Sequence, residues 1–277
     1  MFSLIVLTFN SRAYIKDCLD SILTQRCKDF EVIVVDNGSK DGTTAFIRTN
    51  YPGVILVKNK ENLGAAKARN QGIEIARGEW LLAMDCDVRL EENFVGRLVE
   101  AAKHISSEVG MIQPKILYPD KLRIFSAGIF ISPLKRFYDI GRGKSDSGRF
   151  NSPGYVFGAC SAAALYRRRM LDDIKDVWGY FDERLFFLLE DADLSWRAQE
   201  AGWKAWFYPH LACYHYGNSS RTSKKLRQYL CWKNRYTILN KHKLSKLKLF
   251  IISICYDIPR AIFLFFTNPY YTDGLKK

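Results

Sequence analysis

No two cysteines stand at C-x-x-C spacing, so Cys18, Cys27, Cys86, Cys160, Cys213, Cys231 and Cys255 do not read as a zinc site. Seven is an odd number, and they are widely scattered, which argues against a disulfide framework. A reducing compartment is the simplest reading. The apolar residues 2–9 lack a preceding basic region and a following small-residue cleavage site, so no secretory signal is expected. Long apolar runs are missing too. Leu249 to Tyr256 and Ala261 to Thr267 are uncharged, but Asp257, Pro259 and Arg260 separate them. Neither run reaches the ~18–20 residues that cross a bilayer. There is no internal repeat and no low-complexity tract. Acids are scarce in one region: residues 216–277 carry 13 Lys and Arg against Asp257 and Asp273, so +11 of the net +13 lies there. The remainder of the chain is close to neutral.

What is present is an ordinary folding composition, 48% hydrophobic and 26% charged over 277 residues. That length suits one large domain, or a catalytic domain with an extension. Strand and helix alternate through the first half. Strands are expected at Ser3–Thr8, Phe30–Asp36, Val54–Val57 and Trp80–Met84, and helices at Tyr14–Leu23, Asp41–Thr49, Ala65–Ala76 and Phe94–His104. Near-continuous apolar strands alternating with helices imply a mostly parallel sheet covered on both faces. After Gly110 the pattern is broken by prolines, and 141–153 reads as a loop. A helix over Asp191–Ala201 and a strand over Lys204–Tyr208, ending at Pro209, follow. From Thr222 onward the chain reads as helical and basic. Lys241, Lys243, Lys246 and Lys248 beside the two apolar runs suggest segments lying on an anionic membrane; a core-packed helical hairpin with solvated lysines is the alternative. Nucleic-acid binders spread their charge over a recognition face, so a basic tail beside apolar segments disfavours that class.

In an open α/β sheet, ligands bind beyond the carboxyl ends of the strands. Three of those ends are polar here: Thr8-Phe9-Asn10, Asp36-Asn37-Gly38-Ser39 and Asp85-Cys86-Asp87. Residues two apart on an extended segment face the same way. Asp85 and Asp87 would then repel and raise each other's pKa, a conflict that a divalent cation such as Mg²⁺ or Mn²⁺ removes. Asp36 also suits an Asx turn. Asn62-Leu63-Gly64 opens a helix that carries Arg69, and both helix N-termini and Arg favour phosphate. Phe186-Phe187-Leu188-Leu189 precedes Glu190, Asp191 and Asp193. Acids against an apolar wall are candidates for a general base, although helix N-termini favour acids in any case. His215 is read either as a structural imidazole or as a metal ligand.

Taken in order, Val6-Leu7-Thr8-Phe9-Asn10, Val35-Asp36-Asn37-Gly38-Ser39, Asn62-Leu63-Gly64, Ala68-Arg69-Asn70 and Asp85-Cys86-Asp87 resemble the inverting glycosyltransferases of family 2. Phe157-Gly158-Ala159-Cys160, Phe181-Asp182-Glu183, Glu190-Asp191-Ala192-Asp193-Leu194 and His215 extend the likeness, which is greatest for the rhamnosyltransferase-like branch. It covers about residues 3–220. It implies a GT-A fold, Rossmann-like, over 1–220, with a nucleotide-sugar half (1–110) and an acceptor half (111–220), followed by a basic helical extension over 221–277. It further implies that Thr8, Asn10 and Asp36 hold the base and ribose, and that Asn62, Gly64 and Arg69 support the donor. Asp85 would lie near ribose and metal, Asp87 and His215 would bind Mg²⁺ or Mn²⁺, and Asp191 would be the general base. Gly158, Ala159 and Glu190 would form the acceptor side. The implied donor is a UDP- or dTDP-linked sugar and the acceptor a saccharide or lipid-linked hydroxyl, handled on the cytoplasmic face of the membrane in surface polysaccharide or glycoconjugate synthesis. A nucleotidyltransferase and a catalytically silent nucleotide-sugar-binding relative are the alternatives. The former is disfavoured by Thr-Phe-Asn-Ser where a glycine-rich basic loop is usual.

Overall fold

The structure, a computed structural model, describes residues 1–217, 222–242 and 244–274, the last three by backbone alone. Lys243 and the expected boundary between 220 and 221 lie outside the described residues. The first half runs β1 (Phe2–Thr8), α1 (Ile15–Leu23), β2 (Phe30–Asp36), α2 (Thr43–Asn50), β3 (Ile55–Lys58), α3 (Ala65–Ile75), β4 (Trp80–Asp85), β5 (Val88–Leu90) and α4 (Phe94–His104). Apart from β5, each was expected to within two residues. The second half runs β6 (Val109–Leu117), β7 (Ile124–Ser126), β8 (Ile129–Ile131), β9 (Phe137–Asp139), β10 (Gly154–Val156), β11 (Ala163–Arg167), α5 (Arg168–Ile174), α6 (Glu190–Glu200) and β12 (Lys204–His215). Four helices close the described chain: α7 (Lys224–Lys241), α8 (Lys246–Ile252), α9 (Ile258–Thr267) and α10 (Pro269–Gly274).

Strands β3, β2, β1 and β4 lie side by side and parallel. The chain moves outward from β1 to β3, then returns to the other side of β1 as β4. This reversal opens a crevice at the carboxyl ends of β1 and β4, the place where such sheets bind ligands. Register puts Thr8 opposite Asp36 and Leu7 opposite Asp85. Beyond β4 the sheet becomes mixed, with β11 antiparallel between β4 and β6, and β12 parallel to β6.

The strands are apolar on both faces because both are covered. Leu4 and Val6 of β1 pack with Ile15, Leu19, Phe94 and Leu98 of α1 and α4. Ile5, pointing the other way, packs with Ala66, Ile73, Met170 and Leu194 of α3, α5 and α6. Each such aliphatic side chain contributes about 1.5–3 kcal/mol when fully buried. The C-terminal helices join this body through a smaller cluster of Leu185, Trp196, Ile238, Leu239 and Ile252.

Two expectations are corrected here. The strand after Lys204 does not stop at Pro209; β12 continues to His215, with an irregularity between Tyr208 and Ala212 that accommodates the proline. The two apolar C-terminal runs are not separate, because Ser253–Asp257 forms a π turn that joins α8 to α9. The result is one helical rod, Lys246–Thr267, of 22 residues, with an 18-residue stretch of mean hydropathy 1.9.

Candidate active site

The crevice widens into a cavity of about 740 Å³. One wall is the turn that follows β4. Short strand β5 leaves that turn and pairs antiparallel with the far end of β12, setting Val88 opposite His215. The Tyr216 N–H donates to the Asp87 carbonyl at 3.1 Å, closing the joint. His215 Nε2 thereby stands 3.0 Å from Asp87 Oδ1 and 3.9 Å from Asp85 Oδ2. One ligand atom from each of Asp85, Asp87 and His215 lies within 4.8 Å of the others. Burial pushes the Asp85 carboxyl up to about 6; Asp87 and Glu190 add to the rise, while Arg69 and His215 oppose it. His215 Nδ1 is buried without a hydrogen-bond partner among the described residues. Two carboxylates and an imidazole, crowded and partly desolvated, fit a hard divalent cation. Cys86 between them is buried, and burial raises its thiol to about 12, leaving an inert side chain.

The opposite wall is the start of α6. Three acids crowd its first turn, and their partners tell them apart. Asp193 takes Arg197 at 2.9 Å and Lys241 at 3.2 Å; burial alone would raise it, but His242 and these cations hold it near about 2. Glu190 takes Arg69 at 2.5 Å. Asp191 has no cation partner among the described residues. Its Oδ2 accepts the Ser161 N–H at 3.0 Å and its Oδ1 accepts the Ala192 N–H at 2.8 Å. Burial, reinforced by Glu190, pushes it up to about 7 against the pull of the Ser161 N–H. A carboxyl with a pKa near neutrality that faces a cavity is suited to taking a proton.

Arg69 joins the two walls. It is fully buried, 2.7 Å from Asp85 and 2.5 Å from Glu190, and it also donates to the Ser161 carbonyl at 3.3 Å. Removing one member of such a buried set leaves uncompensated charge, at about 3–5 kcal/mol.

The segment leading into α6 is unusual. Phe186, Leu188 and Leu189 all have left-handed backbones, with φ of 55°, 73° and 68°. Each costs about 1–2 kcal/mol for a residue with a side chain. The segment is held from one side by α3, where the Ala65 N–H donates to the Phe186 carbonyl at 2.5 Å. Gly64 permits that approach. Its φ is 87°, and a Cβ there would sit 2.6 Å from the same carbonyl.

A family model described as glycosyl transferase family 2 matches residues 3–175, more than half of the chain. The chain belongs to glycosyl transferase family 2. A PGL/p-HBAD biosynthesis glycosyltransferase of Mycobacterium bovis is 38% identical over 95 residues, which is 33% of this chain and 37% of that protein. An uncharacterized glycosyltransferase of Haemophilus influenzae is 38% identical over 87 residues, 31% of this chain and 29% of that protein. These matches thus span 29–37% of the curated relatives' length. Among solved structures, the mannosyltransferase PcManGT of Pyrobaculum calidifontis, in complex with GDP-Man and Mn²⁺, superimposes with TM-score 0.61 at 18% identity, covering 98% of this chain and 71% of that one. TarS of S. aureus gives 0.57 at 20% identity, covering 97% and 44%. The shared architecture is the GT-A fold.

Within this family 2 chain, Asn62, Gly64, Arg69, Asp85, Asp87, Glu190, Asp191 and His215 all line the cavity. Thr8, Asn10 and Asp36 do not. Asp36 is buried, where Oδ1 accepts the Ser39 N–H at 2.8 Å and Oδ2 accepts the Thr44 hydroxyl, so it organises the turn after β2. Asn10 is exposed and accepts the Lys40 N–H at 2.8 Å, bracing the same turn. Thr8 is buried beneath the rim. Gly158 and Ala159, expected on the acceptor side, stand behind the wall. A Cβ on Gly158 would sit 2.2 Å from Ser195 Oγ of α6, and Ala159 belongs to the core, so both residues serve packing. Cys160, Ser161 and Ala162 form the wall instead. The sequence reading missed Ser161, the β9 residues Tyr138 and Asp139, and Leu226, Arg227 and Leu230 of α7, all of which line the cavity. None of them carries a local pattern that marks it.

Proposed function

We propose that the chain is an inverting, metal-dependent glycosyltransferase that moves a sugar from a UDP- or dTDP-linked donor to a hydroxyl of a saccharide or lipid-linked acceptor. The observation that carries this reading is the pairing, across one cavity of a GT-A fold, of the Asp85–Asp87–His215 cluster with Asp191. Asp85, Asp87 and His215 would hold Mg²⁺ or Mn²⁺, which when bound offsets the negative charge of the diphosphate. Asp191 takes the proton from the acceptor hydroxyl as its oxygen bonds to the anomeric carbon. The bond from that carbon to the phosphate oxygen breaks in the same step, and the nucleoside diphosphate leaves. Attack opposite the leaving group inverts the anomeric centre. Arg69 keeps the two walls in register, and Asn62 and Gly64 shape the donor side. Residues 1–220 form the catalytic domain on this reading, with 221–277 as a membrane-facing extension.

The membrane seat rests on the rod Lys246–Thr267, whose 18-residue apolar stretch is 17% buried. Leu247, Phe250, Ile254, Ile262, Phe263 and Phe266 are exposed. The rod is long enough to cross a bilayer, yet Asp257 in its middle is buried in an ion pair with Arg235 of α7. An ion pair to the catalytic body fits a helix lying in the interface of an anionic, cytoplasmic leaflet better than one crossing it.

The test is incubation with UDP- and dTDP-sugars, with and without Mn²⁺ or Mg²⁺, followed by product analysis and thermal unfolding. Free nucleoside diphosphate supports sugar transfer, whereas pyrophosphate would indicate nucleotidyl transfer. A ligand at ~100 times its Kd adds about 2.7 kcal/mol, a rise of roughly 5–10 °C for a chain of this size. No shift with any donor at millimolar concentration would overturn the reading. Co-sedimentation with anionic but not neutral vesicles, lost in Phe250→Glu/Phe266→Glu, would support the membrane seat. No sedimentation with either would remove it.

A further inference from the structure

We infer that Asn234 of α7 is a positioning residue for Asp191. Asn234 is 2% exposed, although it sits in the middle of a helix. Its Nδ2 donates to the carbonyls of Leu185, Phe187 and Leu188, each at 2.8 Å. One amide therefore gathers three of the four carbonyls of 185–188, and the fourth, on Phe186, goes to the N-terminus of α3. Left-handed Phe186, Leu188 and Leu189 would otherwise turn back toward the common backbone region. Were they to do so, the first turn of α6 would swing, because Glu190 and Asp191 follow directly. Backbone strain held by a dedicated partner beside a reactive group is a mark of a constrained working geometry. The neighbouring Arg235 faces elsewhere, to the carbonyls of Leu134 and Lys135 at 2.8 and 2.9 Å and to Asp257, and leaves the 185–189 segment alone.

The role follows from how little else fixes Asp191. Its carboxylate is aimed by two backbone N–H groups, of Ser161 and Ala192, with the Ser161 hydroxyl farther off at 3.5 Å. No cation among the described residues pulls it into place, unlike Glu190 and Asp193. Its direction is therefore inherited from where α6 begins, and that start is held by Asn234.

The inference rests on Asp191 being the base, so the experiment separates the two. Turnover and the affinity for nucleoside diphosphate with Mn²⁺ are measured for Asn234→Leu, Asp191→Asn and the double variant. Leu has the same branching and heavy-atom count as Asn and lacks the donor. Asn234→Leu is expected to lose kcat by about 10–100-fold, as a misplaced catalytic group does, with diphosphate affinity unchanged. Because Asn234 acts through Asp191, the double variant should be no slower than Asp191→Asn alone. Wild-type kcat in Asn234→Leu, or losses that multiply in the double variant, would overturn the positioning role. Wild-type turnover in Asp191→Asn would instead remove the base, whatever Asn234 does. If Asn234→Leu does not fold, Asn234→Ser retains one donor and carries the same comparison. A smaller kcat loss that disappears in the Asp191→Asn background would support the role, and multiplied losses would overturn it.

Discussion

The two walls of the cavity are built by different means. The Asp85–Asp87 wall is placed by regular backbone: parallel β1 and β4 fix the strand end, and the β5–β12 ladder delivers His215. The Glu190–Asp191 wall is placed by side chains and strain: three left-handed residues, an Asn amide and a buried Arg. Ladder hydrogen bonds are many and share any perturbation. A clamp is one or two groups, and its loss falls directly on what it holds. The Asp85–Asp87 wall should thus tolerate changes around it and fail when one of its own acids is removed, whereas the Glu190–Asp191 wall should fail when remote groups are changed.

Asp191→Asn should break the second wall most sharply, with turnover down ~10²–10⁴-fold while nucleotide binding survives. The same variant reports on pH. Burial holds the Asp191 pKa up at about 7, so activity should fall as pH drops through that value. A carboxyl whose folded pKa lies above its unfolded value binds more protons when folded, so it lowers stability as pH rises from about 4 to 7. Asp191→Asn should therefore melt above the wild type at pH 8, the gap closing toward pH 5. A pH-independent difference would place Asp191 outside a desolvated site.

Arg69→Met tests whether the walls are joined. It leaves buried Glu190 and half-buried Asp85 without their shared cation, and about 3–5 kcal/mol of stability should be lost, mostly through Glu190, read by chemical denaturation. A loss under about 1 kcal/mol would mean that the two walls hold their places independently.

Asp87→Ala sharpens the comparison from the other side. The extra melting temperature that Mn²⁺ and a nucleoside diphosphate give the wild type, roughly 5–10 °C, should vanish while the fold without ligand is kept. A retained shift would take Asp87 out of the cation site.

How legible each wall was follows from the same contrast. Local chain pattern carries the ladder-built wall: β1, β2 and β4 are apolar runs ending in Thr8, Asp36 and Asp85, and sheet topology then dictates that their ends meet. The His215 partnership was hidden in β5, three residues that gain meaning only by pairing with a strand more than 120 positions away. The clamp-built wall showed its acids but not their roles. Locally only Arg197, four positions after Asp193, separates Asp193 from Asp191; Lys241 and His242, about 50 residues on, complete the difference. Asp36 and Gly158, expected to face ligands, lie outside the cavity lining. A turn-former and a close-packing glycine look like ligand-facing residues until Thr44 and Ser195 are seen beside them. Asn234 offers no signal at all, being a polar residue in a basic helix whose three acceptors lie in another segment.

The π turn at Ser253–Asp257 acts as an angular setting. Side chains advance about 100° per residue around an α-helix, so in an unbroken one Asp257 would stand roughly 140° around the axis from Ile252. A π turn is a helix that has absorbed one extra residue, and its wider winding swings Asp257 back toward the side of Ile252. Seven residues later, Leu264 returns to nearly that same side, and Ile252, Asp257 and Leu264 are the rod's buried residues. Winding the same residues as an unbroken α-helix would leave the composition of the rod intact while rotating its second half by about 100°, pulling Asp257 away from Arg235 and turning a different set of phenylalanines outward. Which apolar face this protein presents is thus decided by the winding of one turn as much as by the apolar residues themselves.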